Sequence, residues 1–259
     1  MSMTQNLITP RLAASWIPDF DDIVGNHRIL DHLGKCLRYT APQDDANVLL
    51  EGPPGTGKTN TLLSFLQRRL GDPTLCEDDD ADVVTVLRGR QIGFMRIDGG
   101  TSSEARLRDQ LKFAQHNATS HTLVLLDELG ELYHRRYDEM LRPILDSRRV
   151  TLFATAQNFH SGKRRSDTVK EDNFRRHALL RRFPIKETTS PPGPDELETY
   201  ILKLSKQWSF NIGDDHCIKT LIQKATLPDG INVGEAMSIL ARCLADPART
   251  LTTDLVMRI

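Results

Sequence analysis

Lys58 and Thr59 close the run Gly52-Pro53-Pro54-Gly55-Thr56-Gly57-Lys58-Thr59, which fits the pattern G-x-x-x-x-G-K-[ST]. That order of residue types suits the gripping of phosphate. Glycines let successive backbone N–H groups curl around phosphate oxygens. A helix starting at the lysine adds the positive end of its dipole. Lys58 can then reach terminal phosphates, and the Thr59 hydroxyl can face a Mg2+ ion. Pro53, Gly55, Thr56, Gly57, Lys58, Thr59 and Asn60 are the candidate contacts.

A second chemical signal lies at Leu123-Val124-Leu125-Leu126-Asp127-Glu128, an apolar run ending in two acids. Asp127 can hold a Mg2+ shell from beside Thr59, and Glu128 can polarise a water for in-line attack on phosphorus. No other catalytic constellation competes. The eight histidines form no H-E-x-x-H, so a resident metal-ligand cluster is not expected. Cys36, Cys76, Cys217 and Cys243 lie far apart with no C-x-x-C, as in a cytoplasmic protein with reduced thiols.

These groups need elements to position them. Val48 to Leu50 reads as a buried strand before the glycine-rich turn, and a helix runs from Lys58 to Leu70, stopped by Gly71. Strands are expected at Val83–Leu87, Phe94–Ile97, Leu123–Leu126 and Val150–Ala154, with helices at Ser103–His116 and Tyr137–Leu145. Pro143 sits awkwardly inside the last of these. Alternating strands and helices imply an α/β fold with a mostly parallel sheet. The stretch Thr188 to Pro194, T-T-S-P-P-G-P, is a break, after which the pattern gives three or four helices: Asp195–Trp208, Asp214–Ala225 and Val233–Leu244, with a last short one as the fourth. The expected domains are an α/β core over 1–190 and a small all-α lid over 191–259.

The 259 residues carry 34 Lys and Arg against 35 Asp and Glu, a net charge of −1. That excludes a globally basic nucleic-acid coat. It averages an acidic run, Glu77 to Asp82, and a basic stretch, 160–182, with eight Lys or Arg against three acids. Lys163, Arg164, Arg165, Lys170, Arg175 and Arg176 could meet a nucleic-acid backbone, with Phe174 the one aromatic among them. No apolar run approaches a membrane span, and the N-terminus lacks a secretory pattern.

The chain resembles AAA+ ATPases over nearly all its length. Phe20-Asp21-Asp22-Ile23-Val24-Gly25 is similar to the segment that leads these modules and packs by the adenine, which makes Val24 and Gly25 adenine-side candidates. The strand Thr151 to Asn158 resembles the sensor 1 strand. Asn158 is the best match for the residue that orients attacking water, with Thr155 and Gln157 as alternative registers. Ala178-Leu179-Leu180-Arg181-Arg182-Phe183-Pro184 resembles the A-L-x-x-R-F box, whose arginine acts in a neighbouring subunit's site; Arg181 and Arg182 are both candidates. The resemblance implies the P-loop NTPase three-layer core with a helical lid, ATP and Mg2+ as ligands, and a homo-oligomer, a ring or helix with a hexamer foremost.

The sequence departs from the pattern in places. Gly234 stands where many members carry a sensor 2 arginine, with Arg242 two turns later. Asp98-Gly99-Gly100-Thr101-Ser102-Ser103 carries no aromatic pore loop. The spacer before the arginine box resembles McrB and MoxR-like branches, while the start at Phe20 to Gly25 and the compact spacing from Ile97 to Asp127 look more like clamp-loader small subunits and RuvB. The expected output is a DNA transaction: loading, remodelling or branch migration. Remodelling of a protein partner and an ATP-gated assembly switch are the alternatives. A separate protein partner is expected to supply specificity.

Overall fold

The computed structural model describes residues 17–39, 45–71, 83–87, 89–157, 174–246 and 248–259. Cys76, the acidic run, Asn158 and residues 160–173 of the basic stretch lie outside the described residues. The chain gathers into two compact units. One comprises Arg28–Gly52 and Lys58–Thr188, and the other comprises Pro53–Gly57 and Thr189–Ile259 with the segment up to His27.

The first unit is built on a six-stranded sheet of β1 (Val48–Glu51), β2 (Val83–Leu87), β3 (Arg90–Asp98), β4 (His121–Asp127), β5 (Val150–Ala156) and β6 (Ile185–Thr188), ordered β2-β3-β4-β5-β1-β6. Five strands are parallel, and β2 is antiparallel to β3 at one edge. The strands β1, β4 and β5 are buried on both faces, which is why they read as unbroken apolar runs. Leu49, Val124, Leu126, Leu152 and Ala154 pack in one cluster with residues of three helices: α3 (Glu104–His116), α4 (Leu129–His134) and α5 (Arg142–Leu145). The alternate residues belong to the opposite face because side chains switch sides along a strand. There Phe153 meets Phe65 of α2 (Lys58–Leu70), ring centroids 5.4 Å apart. Complete burial of such a side chain stabilises the fold by ~1.5–3 kcal/mol. The preceding helix α1 (His27–Tyr39) buries Ile29 and Leu33.

Three details differ from the sequence expectation. The helix expected over Tyr137–Leu145 is a 3-10 turn, Asp138–Leu141, running into the short α5. Pro143 sits in the first turn of α5, where its missing N–H costs nothing. The strand β6 had not been expected, because its alternate residues Lys186 and Thr188 are exposed and no apolar run marks it. The short helix over residues 174–180 also escapes a pattern dominated by arginine.

The second unit packs α7 (Pro194–Gln207), α8 (Cys217–Lys224), α9 (Val233–Cys243) and α10 (Thr253–Arg258) around Leu197, Ile201, Leu204, Trp208, Leu221 and Leu240; the 174–180 helix of the first unit is α6. The start of α7 is fixed by Pro194 and by Glu196, whose carboxylate accepts from Gly193 N–H at 2.8 Å. Two-residue strand pairs add to the helices: Asn211–Ile212 with Thr250–Leu251, and Thr226–Leu227 with Gly230–Ile231.

Candidate active site

The carboxyl ends of β1, β4 and β5 converge on one cluster within the first unit. Lys58, at the start of α2, donates from Nζ to Gly52 O at 2.9 Å. Thr59 Oγ1 donates to the Asp127 carboxylate at 2.9 and 3.1 Å. The Thr155 hydroxyl, on β5, donates to Asp127 Oδ1 and accepts from Glu128 N–H at 3.1 Å. Arg96 approaches Asp127 Oδ2 at 3.6 Å from β3. Asp127 is thus fixed from three elements at the mouth of the sheet, where α/β ligands bind.

Glu128 follows at the turn from β4 into α4 with φ 55 and ψ 48, a left-handed conformation rare for this residue type. Its carboxylate Oε1 accepts from Gln157 Nε2 at 3.3 Å. The turn Asp98-Gly99-Gly100 closes against the same backbone, with Gly99 N–H donating to Asp127 O at 2.8 Å. A Cβ on Gly99 would lie 2.7 Å from the Asp127 and Glu128 carbonyl oxygens, so only glycine allows this approach. Arg135, just past α4, clamps the turn by donating to the Gly99 and Ser102 carbonyls. The stretch Asp98 to Ser103, which carries no aromatic pore loop, thus packs against the backbone of Asp127 and Glu128.

Three titratable groups of the cluster are shifted from their ordinary values. Burial pushes the Glu128 carboxyl up, and Asp127, Asp98 and Glu131 push it the same way, while the Gln157 hydrogen bond opposes them. Burial lowers Lys58, against the pull of Asp127 and Glu128. Asp98 is held below the usual range; burial works against this, but the Thr101 hydroxyl and the Gly100 and Thr101 N–H groups outweigh it.

The second unit contains residues 53–57 of the glycine-rich loop. Asn26, buried and at φ 56, donates from Nδ2 to Thr56 O at 2.9 Å. The Thr56 hydroxyl pairs with that of Thr189 at 2.7 Å and donates to Pro53 O at 3.0 Å. Gly55 O accepts from Val233 N–H at 2.9 Å. Gly55 and Gly57 have φ 75 and 78, which only glycine adopts without strain. Asn26, Thr56 and Val233 thus engage three carbonyls of the loop, those of Thr56, Pro53 and Gly55.

The other candidates fall as follows. Val24 packs against the core of the second unit, and Gly25 is buried beside Pro192 with φ 70. Asn60 is exposed in the first turn of α2. Asn158 lies outside the described residues; Gln157 and Thr155 both touch the acid pair. Arg182 is committed to Asp146, at 2.8 and 3.1 Å, and to Ala178 O at 2.7 Å. Arg181 is exposed, with no side-chain hydrogen bond or ion pair among the described residues. Arg175, read from sequence as one cation of a nucleic-acid surface, is instead buried in an ion pair with Asp138 and stacked over Tyr133 at 5.0 Å. Arg242 reaches Glu235 at 3.3 Å.

Thr59 and Asp127 offer hard oxygen donors, and no cluster of three or more His, Cys, Asp or Glu suited to a metal occurs among the described residues. That set fits Mg2+, which keeps several waters and takes its other ligands from phosphate. Residues not singled out from sequence as site residues are Arg96, Asp98, Asn26, Thr189 and Asn232. Only Asp98 carried a signal, as the acid ending the strand beside β4, level with Asp127.

No curated protein sequence matches the chain. Solved structures do. The Thermotoga maritima RuvB Holliday junction branch migration motor matches with a TM-score of 0.58 at 16% identity, over 93% of this chain and 71% of that one. The Aeropyrum pernix ORC1 protein in complex with DNA matches with a TM-score of 0.61 at 14% identity, over 96% of this chain and 68% of that one. Among the described residues no helix is long and apolar enough to cross a membrane. The model of the ATPase family associated with various cellular activities matches residues 48–180, just over half of the sequence and the stretch that holds Lys58, Thr59, Asp127 and Glu128, and the chain belongs to that AAA family.

Proposed function

We propose that this chain binds MgATP and hydrolyses it at sites shared between copies of itself, and that the cycle drives a DNA transaction. The observation that carries the reading is the linked set Thr59, Asp127, Glu128 and Thr155, which fixes one carboxylate beside a hydroxyl and holds a second one forward. Lys58 grips the β- and γ-phosphates. Thr59 and Asp127 hold Mg2+, which when bound neutralises phosphate oxygens. Glu128 accepts the proton of the attacking water as the bond from the γ-phosphorus to the bridging oxygen breaks. Its raised pKa makes it a better acceptor than an ordinary carboxylate. Thr155 and Gln157 keep the two acids in place.

The exposure of Arg181 and the engagement of Arg182 favour Arg181 as the group that reaches a neighbouring copy's phosphates. A guanidinium there stabilises charge in the transition state. The DNA output is supported by the two structural neighbours, one named as a Holliday junction motor and one solved with DNA. The test is ATP turnover by assembled protein with and without single- and double-stranded DNA. Stimulation by DNA, and salt-sensitive binding to it, are expected. Turnover indifferent to DNA, with no binding at low salt, overturns the DNA output; absence of turnover overturns the enzyme.

A further inference from the structure

Asn232 lies where the second unit meets the glycine-rich loop residues that belong to it. It is the N-cap of α9: its Oδ1 accepts from Glu235 N–H at 3.0 Å. Its backbone N–H is fixed on Ala225 O at 2.9 Å. The carboxamide also lies against Gly55. A Cβ built on Gly55 would be 2.1 Å from Oδ1, 2.2 Å from Cγ and 2.6 Å from Nδ2, so the amide fills the space of the side chain that Gly55 lacks. The next residue, Val233, donates its N–H to Gly55 O at 2.9 Å. The N-cap and the first residue of α9 thus hold one loop glycine.

What α9 lacks sharpens the point. Its first two turns, Val233 to Ser238, contain no cation, and Arg242 faces Glu235 and Ser238 O instead. With its one cation in the last turn and engaged by Glu235, α9 meets the loop through neutral groups at its start.

We propose that Asn232 is a positioning residue for the glycine-rich loop, transmitting the placement of α9 to Gly55 by contact, so that the lid helix reads loop conformation and not the charge of the terminal phosphate. This rests on the nucleotide-binding reading above. A preorganised loop binds more tightly because less ordering remains to be done on binding. The contact lies at the loop backbone and not at the γ-phosphate, so its loss must weaken ATP and ADP equally.

The test separates the two jobs of the side chain. Asn232→Ser keeps a capping oxygen but removes the carboxamide from Gly55; Asn232→Ala removes both. Binding of ATP and of ADP to the full chain is measured directly, together with hydrogen exchange over residues 53–59. N232S is expected to melt close to the parent, to exchange faster over 53–59, and to lose about 3- to 10-fold in affinity for both nucleotides, the scale of one modest contact. In turnover, KM rises more than kcat falls. N232A adds a loss of thermal stability from the missing cap. Parent-like affinity and exchange in N232S overturn the proposal, as does a loss confined to ATP, which would mean that the amide reads the γ-phosphate. A parent chain that binds neither nucleotide overturns the nucleotide-binding reading itself, a separate outcome.

Discussion

Gln157 Nε2 donates to Glu128 Oε1 across 3.3 Å, so an amide just past β5 restrains the carboxylate just past β4. The bond stabilises the ionised acid, whereas Asp98 and Asp127 disfavour it. A base must be ionised to work, so activity falls as pH drops through its pKa. Gln157→Ala removes a lowering influence, and the acid limb of kcat/KM moves to higher pH. Asp98→Asn removes a raising one, and the limb moves to lower pH. A pH–rate profile of the three proteins checks the opposite signs; shifts in one direction would sink the assignment of Glu128 as base.

Glu128→Gln keeps the shape of the side chain and removes its basicity. Turnover is expected to fall by ~10²–10⁴, the range for loss of a general base. Nucleotide binding should persist, because Lys58, Thr59 and Asp127 remain. Equilibrium binding of ATP alongside steady-state turnover separates the two effects.

Lys58 is buried, and burial lowers its pKa. A lysine with a folded pKa below its unfolded one opposes folding while charged; the cost fades as pH rises from the folded value through the unfolded one. Lys58→Met removes that cost. Without nucleotide, its melting temperature near neutral pH should exceed the parent's by about 1–3 °C, an advantage that shrinks in alkali. ATP affinity should collapse in the same variant. A melting temperature well below the parent's would mean that the bond from Lys58 to Gly52 O outweighs the buried charge.

The acid pair and the glycine-rich loop were legible because their chemistry depends on local order: a buried run ending in Asp127-Glu128, and glycines at fixed offsets before Lys58. The parallel sheet followed from apolar runs such as Leu123–Leu126, which need cover on both faces. The supports were not legible. From sequence Thr155 and Gln157 read only as alternatives to Asn158, since contact with Asp127 and Glu128 depends on the pairing of β4 with β5. Asn26 and Asn232 are ordinary residues in local sequence; what they hold lies far away along the chain. Arg175 misled for the opposite reason. Within a basic run it reads as surface, yet Asp138 and Tyr133 give it a buried partner.

That buried pair has a measurable consequence. Arg175→Met strands the Asp138 carboxylate at 3% exposure, and removal of one member of a buried pair costs ~3–5 kcal/mol. Replacing both, as Arg175→Met with Asp138→Leu, should recover much of the loss, because neither charge is then left uncompensated. Denaturant unfolding of the single and double variants measures the coupling. Additive losses would show that the two residues stabilise the fold independently.

Arg181 and Arg182 are neighbours with different prospects. Arg182→Ala breaks the contacts with Asp146 and Ala178 O, so its expected effect is a local loss of stability below ~1 kcal/mol, as Asp146 is exposed. Arg181→Ala removes no contact within the described chain, and its folding should be unchanged. If Arg181 serves a neighbouring copy, its loss lowers turnover of the assembly by ~10³ or more while each copy still binds nucleotide. Mixing gives the sharper readout. Arg181→Ala and Glu128→Gln subunits are each inactive alone. A mixed assembly contains interfaces where Arg181 of the one variant faces Glu128 of the other, and turnover returns there. No recovery on mixing, with assembly verified, would show that both residues act within a single copy.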